Sequence, residues 1–174
     1  TAQEAWTARY VNETIAMAFS LTEEAIEDNL YDTLSSRYTR ALARSMVQTK
    51  QIKGANILNN AFASGLGGDG VYLCSASHPT VGNVNLSNLL STAADLNETS
   101  LEQSLIDIAG FKDERGLRIN AQATRMIIPS ALQFVADRLL ESPGRTGTAD
   151  NDINASRNMG MVPQGYAVNH FLTD

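Results

Sequence analysis

The amino-acid sequence predicts a mixed fold of helices and short strands, in one large domain or two small, closely packed ones. Three features of the 174-residue chain favour it: an apolar stripe at helical spacing between Asp32 and Ser64, a β-rich run at Thr124–Pro129, and long polar connections. Hydrophobic residues make up 43% of the chain and aromatic residues only 6%, so the core has to be mainly aliphatic.

The first third of the chain is predicted to hold one strand and two helices. β-Branched and aromatic residues are frequent at 8–20, which favours a strand. Thr22 can cap a short helix to about Leu30, because acidic residues follow in the first turn, where the helix dipole favours them. From Asp32 to Ser64, apolar residues recur at steps of three and four, which indicates a helix of about 45 Å at ~1.5 Å per residue.

The remainder of the chain is predicted to alternate between short elements and loops. The glycine-rich segment 65–70 ends the long helix, and Thr99 with Glu102 fits a capping box that opens a helix stopping near Lys112. Ser130 is expected to cap the helix that follows the strand at 124–128. Strands are also expected at 71–74, 117–119 and 166–174, a helical piece at 88–94, and largely polar loops at 75–100 and 142–164.

Charge and cysteine content exclude several classes of protein. The net charge is −6 and no basic stripe is visible, which argues against sequence-specific reading of DNA. Cys74 is the only cysteine, so no intramolecular disulfide can form. No run approaches the ~20 apolar residues of a membrane helix, and no secretory signal is visible. The chain begins without methionine, and we expect that further residues precede and follow it in the natural protein.

No residue pattern makes a convincing catalytic or metal site, so neither a catalytic residue nor a cofactor is predicted. The segment 65–70 lacks the Gly-Lys-Ser/Thr ending of a phosphate loop and precedes a strand rather than a helix. Cys74 and His78 could act as a nucleophile and a base, but a buried thiol and a histidine in a turn are the simpler interpretation. The acidic and amide residues at 150–154 resemble a loose calcium loop without its central glycine and distal glutamate, which favours a solvated contact loop.

An ordered series of short motifs resembles a known family. The segment Val71–Pro79, with its apolar residues, Ser/Ala stretch and histidine, resembles the major capsid (head) proteins of tailed bacteriophages, including Mu-like prophage head subunits. The resemblance spans most of the chain. It rests on the order of the motifs, because no single motif is specific to the family. Its other segments are Phe19–Glu24, Gly82–Asn85, Ser87–Asn88, Met126–Leu132, Asn151–Asn154 and Asn169–Asp174.

The resemblance implies the α+β capsid fold of the Hong Kong phage type, with the long helix as its spine. Residues 1–123 would form the peripheral domain, beginning at the end of an extended loop, and residues 124–174 an incomplete axial domain. The implied function is that of a non-enzymatic structural subunit of an icosahedral head, assembled in the bacterial cytoplasm into hexamers and pentamers that enclose DNA. An encapsulin-like shell protein, a small Cys/His hydrolase and a monomeric binding module remain alternatives.

The same resemblance implies partners and a contact surface. Partners would be other copies of the chain, DNA held only non-specifically, and scaffold, portal or decoration proteins. The loop 142–164 would lie near the capsomer axis, where copies meet. There, opposite charges on Arg145, Asp150, Asp152 and Arg157 could pair between neighbours.

Overall fold

The computed structural model describes residues 6–28, 31–145, 147 and 152–173. It confirms a mixed fold, in which helices accompany two small sheets, one antiparallel and one parallel. The elements follow in the order α1 (Glu23–Glu27), α2 (Tyr31–Asn59), β1 (His78–Pro79), β2 (Asn85–Leu86), α3 (Glu98–Ala109), β3 (Met126–Ile128), a 3-10 turn (Ser130–Leu132), α4 (Gln133–Leu140), α5 (Ala155–Asn158) and β4 (Tyr166–Val168). None of the helices in these described ranges is long and apolar enough to cross a membrane.

The long helix α2 confirms the prediction from the apolar stripe, although it ends at Asn59 rather than Ser64. The chain continues in turns to Gly65, whose φ of +81° is the left-handed conformation that commonly follows a helix end. Gly54 sits inside the helix with open space where a side chain would be, so no close packing explains it. Ala55 is the only residue of α2 that is fully buried, and the helix therefore lies largely on the surface.

The predicted strand at 8–20 is absent, because the described part of this segment forms no ladder with another strand. A strand needs a partner for its backbone groups, and β-rich composition alone does not supply one. The segment instead contacts α2 through its side chains: Lys53 pairs with Glu13 at 2.6 Å, and the rings of Phe19 and Tyr38 lie 5.7 Å apart.

The middle of the chain holds fewer regular elements than the sequence predicted. The strands expected at 71–74 and 117–119 are reduced to single bridges, Leu66 with Tyr72 and Lys112 with Arg118. The helical piece expected at 88–94 is also wrong. Asn88 ties its segment to the preceding loop instead, accepting from the Ser75 N–H at 2.8 Å and donating to the Leu73 carbonyl at 2.7 Å.

The aliphatic core joins α3 to α4. Leu101 and Leu105 of α3 pack with Leu139 and Leu140 of α4, and partly buried residues of β3 and β4 cover them. Helix α3 begins two residues earlier than predicted, because Asn97 is the cap and Ser100 returns the hydrogen bond. The proposed Thr99–Glu102 capping box is therefore wrong, and the helix ends at Ala109 rather than near Lys112.

The parallel pairing of β3 with β4 organises the end of the chain. Met126 pairs with Tyr166 and Ile128 with Val168, so the strands predicted at 124–128 and 166–174 are confirmed in shortened form. Parallel neighbours require a crossover connection, here made by α4, the loop after it and α5. Asn59 fastens the terminal segment to the end of α2, donating to the Phe171 carbonyl at 3.0 Å and accepting from the Thr173 N–H at 3.0 Å.

Candidate subunit-contact surface

The predicted contact loop at 142–164 is ordered at its base. The Arg145 N–H donates to the Asp152 carbonyl at 2.9 Å, and the Asn154 N–H donates to the Pro143 carbonyl at 3.2 Å. A bridge between Gly144 and Ile153 lies between these hydrogen bonds. The two arms of the loop therefore run antiparallel, and residues 155–158, predicted as loop, form the short helix α5.

Asn154 fixes this base to the rest of the fold. Its side-chain nitrogen donates to the carbonyls of Leu139 at 2.7 Å and Ser142 at 3.1 Å, and its side-chain oxygen accepts from the Arg157 N–H at 3.2 Å. Asn154 is only 6% exposed. One buried side chain thus satisfies carbonyls at and just after the end of α4 and caps the start of α5, so the base of the loop is held in a fixed position.

Of the predicted contact residues, Arg145 already has a partner inside the chain. Its guanidinium donates to the Glu98 carboxylate at 2.8 Å, at the start of α3, and this hydrogen bond raises the pKa of Arg145. Asp152 and Arg157 are exposed, whereas Asp150 lies outside the described residues. The structure therefore brings Arg145 to α3, and pairing of these four residues between copies stays a prediction.

Cys74 and His78 do not form a catalytic pair in the described structure. The Nδ1 atom of His78 lies 2.6 Å from the Asp69 carboxylate, and that hydrogen bond lowers the pKa of Asp69. No hydrogen bond joins His78 to Cys74 among the described residues. Burial raises the pKa of the Cys74 thiol, which makes the nucleophilic thiolate scarcer. The hydrogen bond between His78 and Asp69 therefore links the loop after α2 to β1.

The described residues bring no set of metal ligands together, and the groove along α3 is open. Within the described ranges, no three His, Cys, Asp or Glu side chains converge as a metal site would require. The calcium-loop hypothesis partly lies outside these ranges, because Asp150 and Asn151 are not described. An open groove of about 820 Å³ runs along α3, and its lining residues with charged side chains are Asp95 and Arg125. Two opposite charges in an open apolar groove do not provide an acid–base or nucleophilic constellation.

Large apolar side chains on the surface are a feature that the sequence patterns did not identify. Phe134 on α4 is 68% exposed, and Ile127 on β3 and Ile106 on α3 are also exposed. Phe134 lies outside the apolar face that periodicity assigns to its helix, which is the one signal that could have identified it. A pattern shows that a residue is apolar but does not show which surface will cover it.

The accessible area of the isolated chain is far larger than its mass predicts. It exposes 13166 Å² at a mass of 18.8 kDa, whereas a compact monomer of this mass exposes about 8,300 Å². The excess of roughly 4,900 Å² is of the size that permanent assemblies bury. Exposed and partly apolar surface of this extent is typical of chains that are covered by neighbouring molecules.

The chain is similar to a known protein family. A family model described as phage capsid protein matches residues 7–173, nearly the whole chain. Comparison with curated proteins and with solved structures gave no match.

Proposed function

The chain belongs to the phage capsid protein family, and from that premise we propose that it builds the icosahedral head of a tailed bacteriophage. Copies of the chain would form hexamers and pentamers that enclose DNA, and the protein would reside in the virion after assembly in the host cytoplasm. The observation that supports self-assembly is the accessible area of 13166 Å², well above that of a compact monomer. An isolated chain would leave this area in water, and repeated contacts with neighbours would cover it.

Within such a shell we assign positions to the main elements. Helix α2, with 29 residues, would be the spine of a peripheral region formed by residues 1–123. Residues 124–174 would form the axial region near the capsomer centre. The aliphatic core of α3 and α4 crosses this boundary, so we propose the division as one of position in the shell rather than of separate cores.

The loop at 142–164 would contact the next copy around the capsomer axis. Its base is fixed by Asn154, and two exposed charged residues lie near that base, Asp152 on the returning arm of the loop and Arg157 on α5. Such a contact is heterologous, and it closes a ring only when the angle between copies is correct. A fixed base favours one angle, whereas a freely hinged loop would allow many.

DNA would be enclosed rather than bound tightly, because the chain carries a net charge of −6. Contacts with scaffold, portal or decoration proteins would use other parts of the uncovered surface. A structural role needs no cofactor, and Cys74 and His78, the two groups that a hydrolase would have to pair, share no hydrogen bond in the described structure.

The experiment is to measure the mass of the assembled protein by light scattering after size-exclusion chromatography, with negative-stain electron microscopy of the same fractions. We expect closed particles of uniform diameter that contain many copies. A monodisperse monomer or dimer at every protein concentration and salt concentration would contradict the proposal.

A further inference from the structure

Three arginines form a row on the exposed surface of α2. Arg37, Arg40 and Arg44 follow one another at steps of three and four, which places them within about 60° of the helix circumference and about 10 Å along its axis. All three are exposed, and Arg40 donates to the Ser36 hydroxyl at 2.9 Å. Within the described part of the chain, no carboxylate pairs with any of them. An acidic protein therefore presents a concentrated cationic row that no described carboxylate neutralises through an ion pair.

The preceding helix carries the complementary charge. Helix α1 and its C-cap bear four exposed carboxylates in six residues, Glu23, Glu24, Glu27 and Asp28. The dipole of α1 accounts for the presence of Glu23 and Glu24, because both lie in the first turn, where the dipole favours negative charge. Glu27 and Asp28 lie at the opposite end, where the dipole disfavours it, and none of the four makes an ion pair among the described residues.

We propose that the arginine row of α2 in one copy docks against the acidic helix α1 of a neighbouring copy. This inference rests on the proposed function, because it assumes that copies of the chain meet repeatedly. The two patches have opposite charge and lie on one chain, so a single head-to-tail contact would satisfy both throughout a shell. The contact would orient neighbours and steer their encounter over about one Debye length, roughly 8–10 Å at moderate salt.

A nucleic-acid partner for the row is less favoured. Three arginines would neutralise few phosphates, and the acidic helix α1 precedes α2 closely in the chain. Pairing within one chain is also less favoured, because the described side chains of the two patches are not within ion-pair distance. Both alternatives are outcomes of the experiment below.

Two charge-reversal variants and one control test the proposal. The first variant reverses the arginine row, and the second makes α1 basic chiefly at its C-terminal end, where the dipole tolerates lysine. The control makes the same change in net charge as the first variant at exposed cations elsewhere. The substitutions are R37E, R40E and R44E in the first variant, E24K, E27K and D28K in the second, and K50E, R118E and R125E in the control.

Association is measured by sedimentation velocity over a range of protein concentrations in 50 and 500 mM NaCl, with circular dichroism to verify helix content. We expect the wild-type association constant to fall about tenfold or more at the higher salt, because salt screens exposed charges. Each variant alone should lose association at least as strongly in low salt, while the control stays within about threefold of wild type. An equimolar mixture of the two variants should regain association. The acidic row of the first variant can bind the basic α1 of the second, and the unchanged arginine row of the second can bind the unchanged acidic α1 of the first.

Several results would overturn the inference. In one of them, the mixture of the two variants fails to associate while a third variant, which carries both sets of reversals in one chain, associates normally. That result would place the contact between the row and α1 within one chain. An R37E/R40E/R44E variant that associates like wild type, or that loses only affinity for a short DNA duplex, would show that the row does not dock α1. Normal closed shells from either variant in electron microscopy would refute the inference and leave the shell-building function intact. A wild-type chain that never associates would refute both.

Discussion

The anchor of the contact loop can be tested by replacing Asn154 with alanine. This substitution removes two donated hydrogen bonds, to the carbonyls of Leu139 and Ser142, and the cap that Asn154 provides to α5. Because Asn154 is only 6% exposed, water cannot readily replace these partners. The perturbation therefore acts on folding and on the position of the loop at the same time.

The expected cost follows from these three interactions. Each hydrogen bond contributes about 0.5–1.5 kcal/mol net, and a cap typically contributes ~1 kcal/mol. Allowing for the desolvated carbonyls left behind, we expect the free energy of unfolding to fall by about 2–4 kcal/mol. For a domain of this size, that corresponds to a melting temperature lowered by roughly 6–12 °C.

The assay is differential scanning calorimetry of the wild type, Asn154→Ala, Asn154→Asp and Asn158→Ala. The aspartate variant keeps the capping oxygen but loses both donations, so it should remain clearly destabilised. Asn158 is exposed on the same short helix, and its alanine variant should stay within about 0.5 kcal/mol of wild type. An Asn154→Ala variant that melts like the Asn158→Ala control would refute the assignment of Asn154 as the anchor.

Four further outcomes are expected. Leu42→Pro, in the interior of α2, should cost ~3 kcal/mol or more and reduce helix content by circular dichroism; an unchanged melt would contradict the helix assignment. Asp69→Asn should destabilise the protein at neutral pH, where the carboxylate is ionised and accepts from His78. Since the folded-state pKa of Asp69 is lowered, the advantage of wild type should persist above pH ~3.9 and disappear as the pH falls through that lowered value, in pH-dependent denaturation. Cys74→Ala should leave shells intact in electron microscopy, and loss of a catalytic turnover with the fold unchanged would contradict the structural role. Replacing residues 146–151 by a Gly-Ser linker of equal length should preserve melting but impair ring closure in sedimentation, and normal heads would refute the axial contact.

The sequence predicted the elements that depend on local periodicity. Helix α2 is recognisable because its apolar stripe continues for many turns, and β3 because an aliphatic run ends at a proline. The contact loop was also recognisable as a long polar segment. Its anchor was not, because a buried asparagine that donates to carbonyls 12 and 15 residues away leaves no local pattern.

Each failed prediction has its own physical cause. The segment at 8–20 has strand composition but no partner strand in the described chain, and composition does not supply backbone hydrogen bonds. The start of α3 was misplaced because Asn97–Ser100 and Thr99–Glu102 are competing capping pairs in adjacent positions, and the structure uses the first. The ion pair of Arg145 with Glu98 was missed because 47 residues separate the two side chains in the sequence.

Cryo-electron microscopy of the assembled protein, produced with whatever residues its gene encodes on either side of this chain, tests the shell-building role most directly. We expect closed icosahedral particles in which copies surround five-fold and six-fold positions, with the 29-residue helix α2 resolved in each copy. Density for the loop at 142–164 should lie against the neighbouring copy near each capsomer axis. Particles without closed symmetry, or a protein that remains monomeric under all assembly conditions, would contradict the account.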